Sequence, residues 1–293
     1  VRLQRVQQVL YSDLIKAGED GDSDISYMYG DTVTIRGIVT MPSGLSYAGD
    51  GVKFIFADVH GGPWSAILSY DPDSSAFPTL WEGDLIEATG YIYEYGTGDA
   101  NMTELFITEP INIIDMGQPP VVDTVNTGDL RWPTTAEQWG NVMVRIEDGI
   151  VTNNDFAYEV FAVDDGTGSV LVDDDSDSLS CFHDADTLLA GIQCCVHESY
   201  FDIYGPPPVN SLVQYMEGWV YHHFGSYADS NTYKLCPLYV EDFEFGSGPP
   251  SIRNLSREPC APTASDNEVA VSCVISDNST VTEALVHYSI DGG

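Results

Sequence analysis

Two groups of side chains are candidates for holding an ion. Asp164 and Asp165 precede one short hydrophobic run, and Asp173 and Asp175 follow it. Several carboxylates at this density offer the hard oxygen ligands that suit calcium, although the spacing departs from the EF-hand loop. His222 and His223 are adjacent with Asp229 nearby, but neighbours on a strand point to opposite faces, so only one of the two reaches any given ion. Tyr91 and Tyr93 share one strand face with Tyr95, and Trp219 and Tyr221 share another. Such rings on a small barrel can stack on sugars or bases; the competing reading is that they fill a barrel or cover an interface. No HExxH, GxSxG or phosphate-cradling glycine loop occurs, and the glycines at 166 and 168 lead into a strand rather than a helix. The expectation is a protein without an active site.

Charge narrows the partners. Ten Lys and Arg stand against 46 Asp and Glu, a net charge of −36. Affinity for nucleic acid comes largely from Lys and Arg displacing counterions, so no nucleic-acid partner is expected. The same surface keeps the chain soluble, attracts cations, and suits a salty habitat. No apolar run is long enough for a membrane helix, so no membrane insertion is expected. No hydrophobic leader follows Val1, which reads as the start of a mature chain.

Cysteines and sequons point to the oxidising side of a membrane. Cys181, Cys194, Cys195, Cys236, Cys260 and Cys273 form no CxxC pair and crowd the second half, which suits disulfides. Cys260 and Cys273 are close enough in sequence to pair with each other. Adjacent cysteines rarely bridge, so Cys194 and Cys195 are each expected to join Cys181 or Cys236. Asn101, Asn254 and Asn278 open glycosylation sequons. An extracellular or cell-surface location follows.

The elements that must position these residues repeat. YGDTVTIRGIVT at 29–40 answers to WGNVMVRIEDGIVT at 139–152, and GDLIEATGYIYEY at 83–95 to VQYMEGWVYHHF at 213–224. Each copy is built of short β-branched and aromatic runs between turn residues, the pattern of strands. Glycines inside the runs (Gly37, Gly90, Gly149, Gly218) mark bulges or sharp bends in a curled sheet. The second copy is longer because of an insertion around 178–208 that holds three cysteines and three consecutive prolines. Residues 1–10 fit either a strand or a helix with Leu3, Val6, Leu10 and Leu14 on one face.

Paired strands of this kind, the DDGTGSV turn at 164–170 and the glycine-aromatic strand resemble tandem OB-fold modules of secreted multidomain bacterial proteins. The tail from Pro250 resembles the first strands of an immunoglobulin-like domain. The expected fold class is all-β: two OB-fold-like small barrels in tandem plus a partial immunoglobulin-like β-sandwich. The segments are a lead-in at 1–24, a first barrel at 25–117, a linker at 118–138, a second barrel with the cysteine-containing insertion at 139–246, and the partial sandwich at 247–293. A complete sandwich takes about 100 residues, more than follow residue 247. Such a half sandwich exposes unpaired edges, and residues 1–10 are a candidate donor strand for a neighbour. The functional expectation is a non-catalytic extracellular structural or assembly protein, a subunit of a homo-oligomer or filament built by strand sharing. The alternatives are a polysaccharide-binding module assisted by calcium, with glycans as partners, or the accessory part of a secreted nuclease.

Overall fold

In the computed structural model the repeat becomes two closed barrels of the same topology. The first uses β1 (Thr32–Met41), β2 (Val52–Ala57), β3 (Ala66–Asp71), β4 (Leu85–Thr97) and β5 (Ala100–Ile107). Their order is β1-β2-β3-β5-β4, with β4 returning to β1 and β3 parallel to β5. A short β6 (Asn112–Asp115) adds to the outside of β4. After β7 (Asp123–Thr124), the second barrel uses β8 (Met143–Asn153), β9 (Phe161–Asp164), β10 (Val170–Val172), β11 (Leu212–His222) and β12 (Tyr233–Cys236). Its order is β8-β9-β10-β12-β11, with β11 returning to β8 and β10 parallel to β12. β13 (Phe243–Phe245) flanks β11. The all-β class with two OB-fold-like barrels therefore holds. The structure describes residues 1–20, 23–46, 48–73, 75, 78–180, 200–246, 251–258 and 269–276, with backbone alone at 202–203, 251–258 and 273–276.

Strand periodicity accounts for the first barrel's core. β4 alternates half-buried and buried residues along most of its length, as a strand with one face inward must. Val33, Ile35, Phe54, Phe56, Ile67, Ile86, Ile92 and Leu105 fill the interior. The interior glycines serve close backbone approach. A Cβ on Gly37 would stand 2.5 Å from the Ala57 carbonyl oxygen, one on Gly218 would stand 2.6 Å from that of Cys236, and one on Gly90 would strike that of Phe106. The register shifts do not sit on these glycines. They follow Gly37 and Gly149, between Val39 and Met41 and between Val151 and Asn153, and precede Gly90 and Gly218, between Leu85 and Ile86 and between Val213 and Tyr215.

One open reading is decided, and two features of the arrangement come into view. Residues 1–10 supply no donor strand: α1 (Leu3–Gln7) is a helix, and it presses Leu3 and Val6 into the first barrel's core. A second helix, α2 (Tyr11–Asp20), buries Leu14 and Ala17 and leaves Leu10 exposed before it. The 118–138 stretch is no free tether. β7 pairs in parallel with β8, and Leu130 and Ala136, the latter on the short α3 (Pro133–Ala136), are fully buried. Third, the barrels share a core. Met41, Ile55, Ala57, Ala66, Leu68 and Met102 of the first barrel belong to the same apolar cluster as Trp219, Tyr221 and Leu235 of the second. Small barrels of this topology offer ligands the face of strands two and three together with two loops. Here Ile55 and Ala57 of β2 and Ala66 and Leu68 of β3 pack into the core shared with the second barrel instead, while Tyr70 at the end of β3 stays half-buried.

Beyond the barrels, α4 (Tyr200–Tyr204) ends the insertion and packs Phe201 against Phe161 and Phe243. β14 (Ser251–Glu258) and β15 (Ala270–Ser276) pair antiparallel; the further strand expected at 284–290 lies outside the described residues. Among the described residues no helix is long and apolar enough to cross a membrane.

Candidate functional site

The chemistry gathers where the barrels meet, in two layers. The outer layer consists of buried lysines. Lys53, on β2, reaches across to Asp175 at 3.0 Å, and the Ser46 hydroxyl donates to the same carboxylate. The Lys53 ammonium also sits 5.2 Å from the Tyr221 ring centre and 5.9 Å from that of Trp219. Lys234 pairs with Asp173 at 3.3 Å and donates to the His223 carbonyl at 2.8 Å. Burial pushes the Asp173 carboxyl up, and the Lys234 charge opposes that shift.

This layer corrects the calcium expectation. Asp173 and Asp175 are occupied by ammonium groups. Asp164 accepts the backbone N–H groups of Gly166 (2.6 Å) and Gly168 (3.2 Å), closing its own turn. Asp165 accepts from Thr127 and Thr167, both backbone and hydroxyl. Burial pushes the Asp165 carboxyl up, but these donors outweigh it and hold the group below its usual range. The four acids serve turn and interface, and they do not converge on one point.

The inner layer joins His222, a candidate from the sequence, to two carboxylates that the sequence does not single out. Asp24 from the lead-in, Glu137 from the 3-10 turn Glu137–Trp139, and His222 at the end of β11 bring their ligand-type atoms within 4.8 Å of one another. Asp24 is fully buried and His222 nearly so. Asn101 Nδ2 donates to Asp24 Oδ1 at 2.6 Å, and the Tyr227 hydroxyl donates to Asp24 Oδ2 at 2.7 Å. Tyr227 also lies 3.0 Å from His222 Nε2, while His222 Nδ1 lies 3.5 Å from Glu137 Oε2. The Tyr233 hydroxyl donates to Glu137 Oε2 at 2.7 Å, and its ring stacks on His222 at 4.0 Å. Glu94 adds a third carboxylate: Oε1 accepts from the Ser26 N–H and the Thr103 hydroxyl, and Oε2 is buried without a partner. Burial sets the protonation here. It raises the carboxyls of Asp24 and Glu137, lifts Glu94 and Glu104 to about 7, and drops His222 to about 3.

The remaining site expectations divide. Of the histidine pair, only His222 faces the cluster; His223 stacks on Tyr221 at 4.3 Å, and Asp229 is exposed. Trp219 and Tyr221 are buried in the interface, so they present no ring to a ligand. Tyr91 and Tyr93 do lie in an outer row. Tyr70 and Phe106 pack at 5.6 Å, Phe106 stacks on Tyr91 at 4.8 Å, and Tyr93 meets Tyr91 and Tyr29 at 6.4 Å. Tyr29 and Tyr93 are exposed. Asn101 cannot be the glycan acceptor in the folded chain, because its amide nitrogen is buried on Asp24. Cys236 is fully buried in β12 and pairs with no cysteine among the described residues. Cys181, Cys194, Cys195, Cys260 and Asn278 lie outside the described residues, as do the side chains of Cys273 and Asn254. A separate groove of about 670 Å³ beside α1, lined by Arg2, Arg5, Val9, Leu10, Tyr27 and Met28, contains none of the expected site residues.

No family model and no curated protein matches the chain. Among solved structures it is similar to OBody AM1L10 bound to hen egg-white lysozyme, at 22% identity over 30% of this chain and 83% of that one, with a TM-score of 0.23. OBody AM2EP06 in complex with the same lysozyme gives 20% identity over 34% and 92%, with a TM-score of 0.24. The aspartyl tRNA synthetase from Entamoeba histolytica gives 16% identity over 40% and 23%, with a TM-score of 0.25.

Proposed function

We propose that the chain is a non-catalytic structural module of the extracellular space or cell surface, a rigid pair of barrels that assembles with copies of itself into an oligomer or filament. The observation that supports this most is the free edge strand β6. All four of its residues are exposed; Ile113 and Ile114, with Met116 just beyond, put a hydrophobic edge on an acidic surface. It ends its sheet, so among the described residues its outer backbone groups have no strand partner. An open hydrophobic edge is a template for another strand, and pairing β6 with β6 of a second copy is self-complementary. The buried interface supports the reading as well, since it spends the usual ligand face on joining the barrels. The extracellular placement rests on the cysteines and sequons outside the described side chains, because Cys236 and Asn101 no longer support it.

Light scattering across protein and salt concentration tests the assembly. Screening of the −36 charge should promote self-association, and Ile114→Lys should keep the protein monomeric. A wild-type protein that stays monomeric at every concentration and ionic strength would contradict the proposal. Polysaccharide binding is the second reading, favoured by the outer row from Tyr29 through Tyr93 to Tyr70. Saturable glycan binding that disappears in Tyr93→Ala would decide for it.

A further inference from the structure

We propose that Asp24, Glu137 and His222 bind one divalent metal ion of the zinc class, which staples the lead-in and the linker to the second barrel. The three side chains come from three separate segments, and their ligand-type atoms already lie within 4.8 Å of one another. Two carboxylates with one imidazole nitrogen form a donor set that zinc accepts, and their two negative charges neutralise a doubly charged ion. The surroundings make such an ion useful. Among the described residues, the hydrogen-bond and ion-pair partners of the Asp24 and Glu137 carboxylates are an uncharged amide, phenols and the imidazole itself. No Lys or Arg among the described residues pairs with either carboxylate, and Lys53 and Lys234 are engaged by Asp175 and Asp173. Buried carboxylates without a cation are expensive to ionise.

The donors around the cluster resemble an outer shell. Asn101 and Tyr227 orient the Asp24 carboxylate, Tyr233 orients Glu137, and the Tyr233 ring fixes the plane of His222. Outer partners of this kind hold metal ligands in place. Tetrahedral donors at zinc bonds of about 2.0–2.2 Å stand roughly 3.4 Å apart, and His222 Nδ1 and Glu137 Oε2 already lie at 3.5 Å. The ion would serve the scaffold by tying segments whose own helices are short.

The test uses the whole chain, stripped with chelator and titrated with Zn²⁺ alone by calorimetry. One ion per chain should bind, and the unfolding midpoint should rise with added Zn²⁺, as any ligand of the folded state requires. His222→Gln and Asp24→Asn should weaken binding by more than the roughly 10–100-fold that losing an outer partner costs, while Asp164→Asn should leave it unchanged. X-ray absorption on the zinc-loaded wild type should report one imidazole and oxygen ligands, a readout that needs no variant to fold. Sulfur coordination, the absence of stoichiometric binding, or undiminished binding in folded His222→Gln would each overturn the assignment.

Discussion

Lys53→Ala is expected to cost about 3–5 kcal/mol of folding stability, the usual penalty for breaking a buried ion pair. The side chain is only 9% exposed and crosses from the first barrel to Asp175 of the second. Its removal leaves that carboxylate, 14% exposed, with only the Ser46 hydroxyl for compensation among the described residues. The lost cation–π contacts add to the deficit. The doubly apolar variant Lys53→Met with Asp175→Leu should recover most of the loss, because a buried pair replaced as a unit no longer leaves a bare charge. Urea melts of the two single variants and the double variant would measure this coupling. A loss below about 1 kcal/mol, typical of a surface pair, would mean the interface is open to water.

Stability should fall as the pH rises through 7. Glu94 and Glu104 have folded pKa values of about 7, raised by burial from 4.5. Between those two values the folded chain holds more protons than the unfolded one. The resulting stability is fully present below about pH 4.5 and is lost as pH rises through about 7, with a ceiling of about 3 kcal/mol per group. Burial raises Asp24 and Glu137 in the same direction. His222 works the opposite way. Its depressed value makes the unfolded chain bind the extra proton, so its contribution is lost as pH drops from about 6.5 toward about 3. Above about pH 6.5 the carboxylates act unopposed. Thermal melts of the chelator-stripped chain from pH 6.5 to 8 should therefore show a falling midpoint. Glu104→Gln should flatten that slope and raise the midpoint at pH 8. A midpoint that climbs over this range would contradict the burial of these acids.

The barrels were readable because a strand's period of two is strict and because the pattern occurs twice with its glycines in matching places. Gly90 and Gly218 match because a neighbouring strand's carbonyl passes too close for a side chain at the same point of each barrel, whereas Gly37 meets the Ala57 carbonyl and its counterpart Gly149 only the Val163 side chain. Residues 1–10 were ambiguous for a reason: a helix as short as Leu3–Gln7 spans too few residues for the two periods to differ. Alternation placed Trp219 beside Tyr221 on one face, but it carries no information about whether that face meets water or another barrel. For the same reason Lys53 and Asp175 gave no sign of pairing. Asp24 sits in an acidic stretch that reads as a solvated loop, and Glu137 sits in what reads as a linker. Only His222, flagged with its neighbour, gave a local signal, and the residues it joins are distant along the chain. Carboxylates at 164–175 carried the stronger motif yet turned out to be occupied by their own turn and by two lysines.

The two copies are joined through one shared apolar core and should unfold together. Calorimetric unfolding of the whole chain at low salt tests it most directly. One transition, with calorimetric and van't Hoff enthalpies equal over the two barrels, is predicted, and Lys53→Ala should lower that single midpoint. Two separate transitions, with only the one from residues 139–246 responding to changes at Trp219, would contradict it.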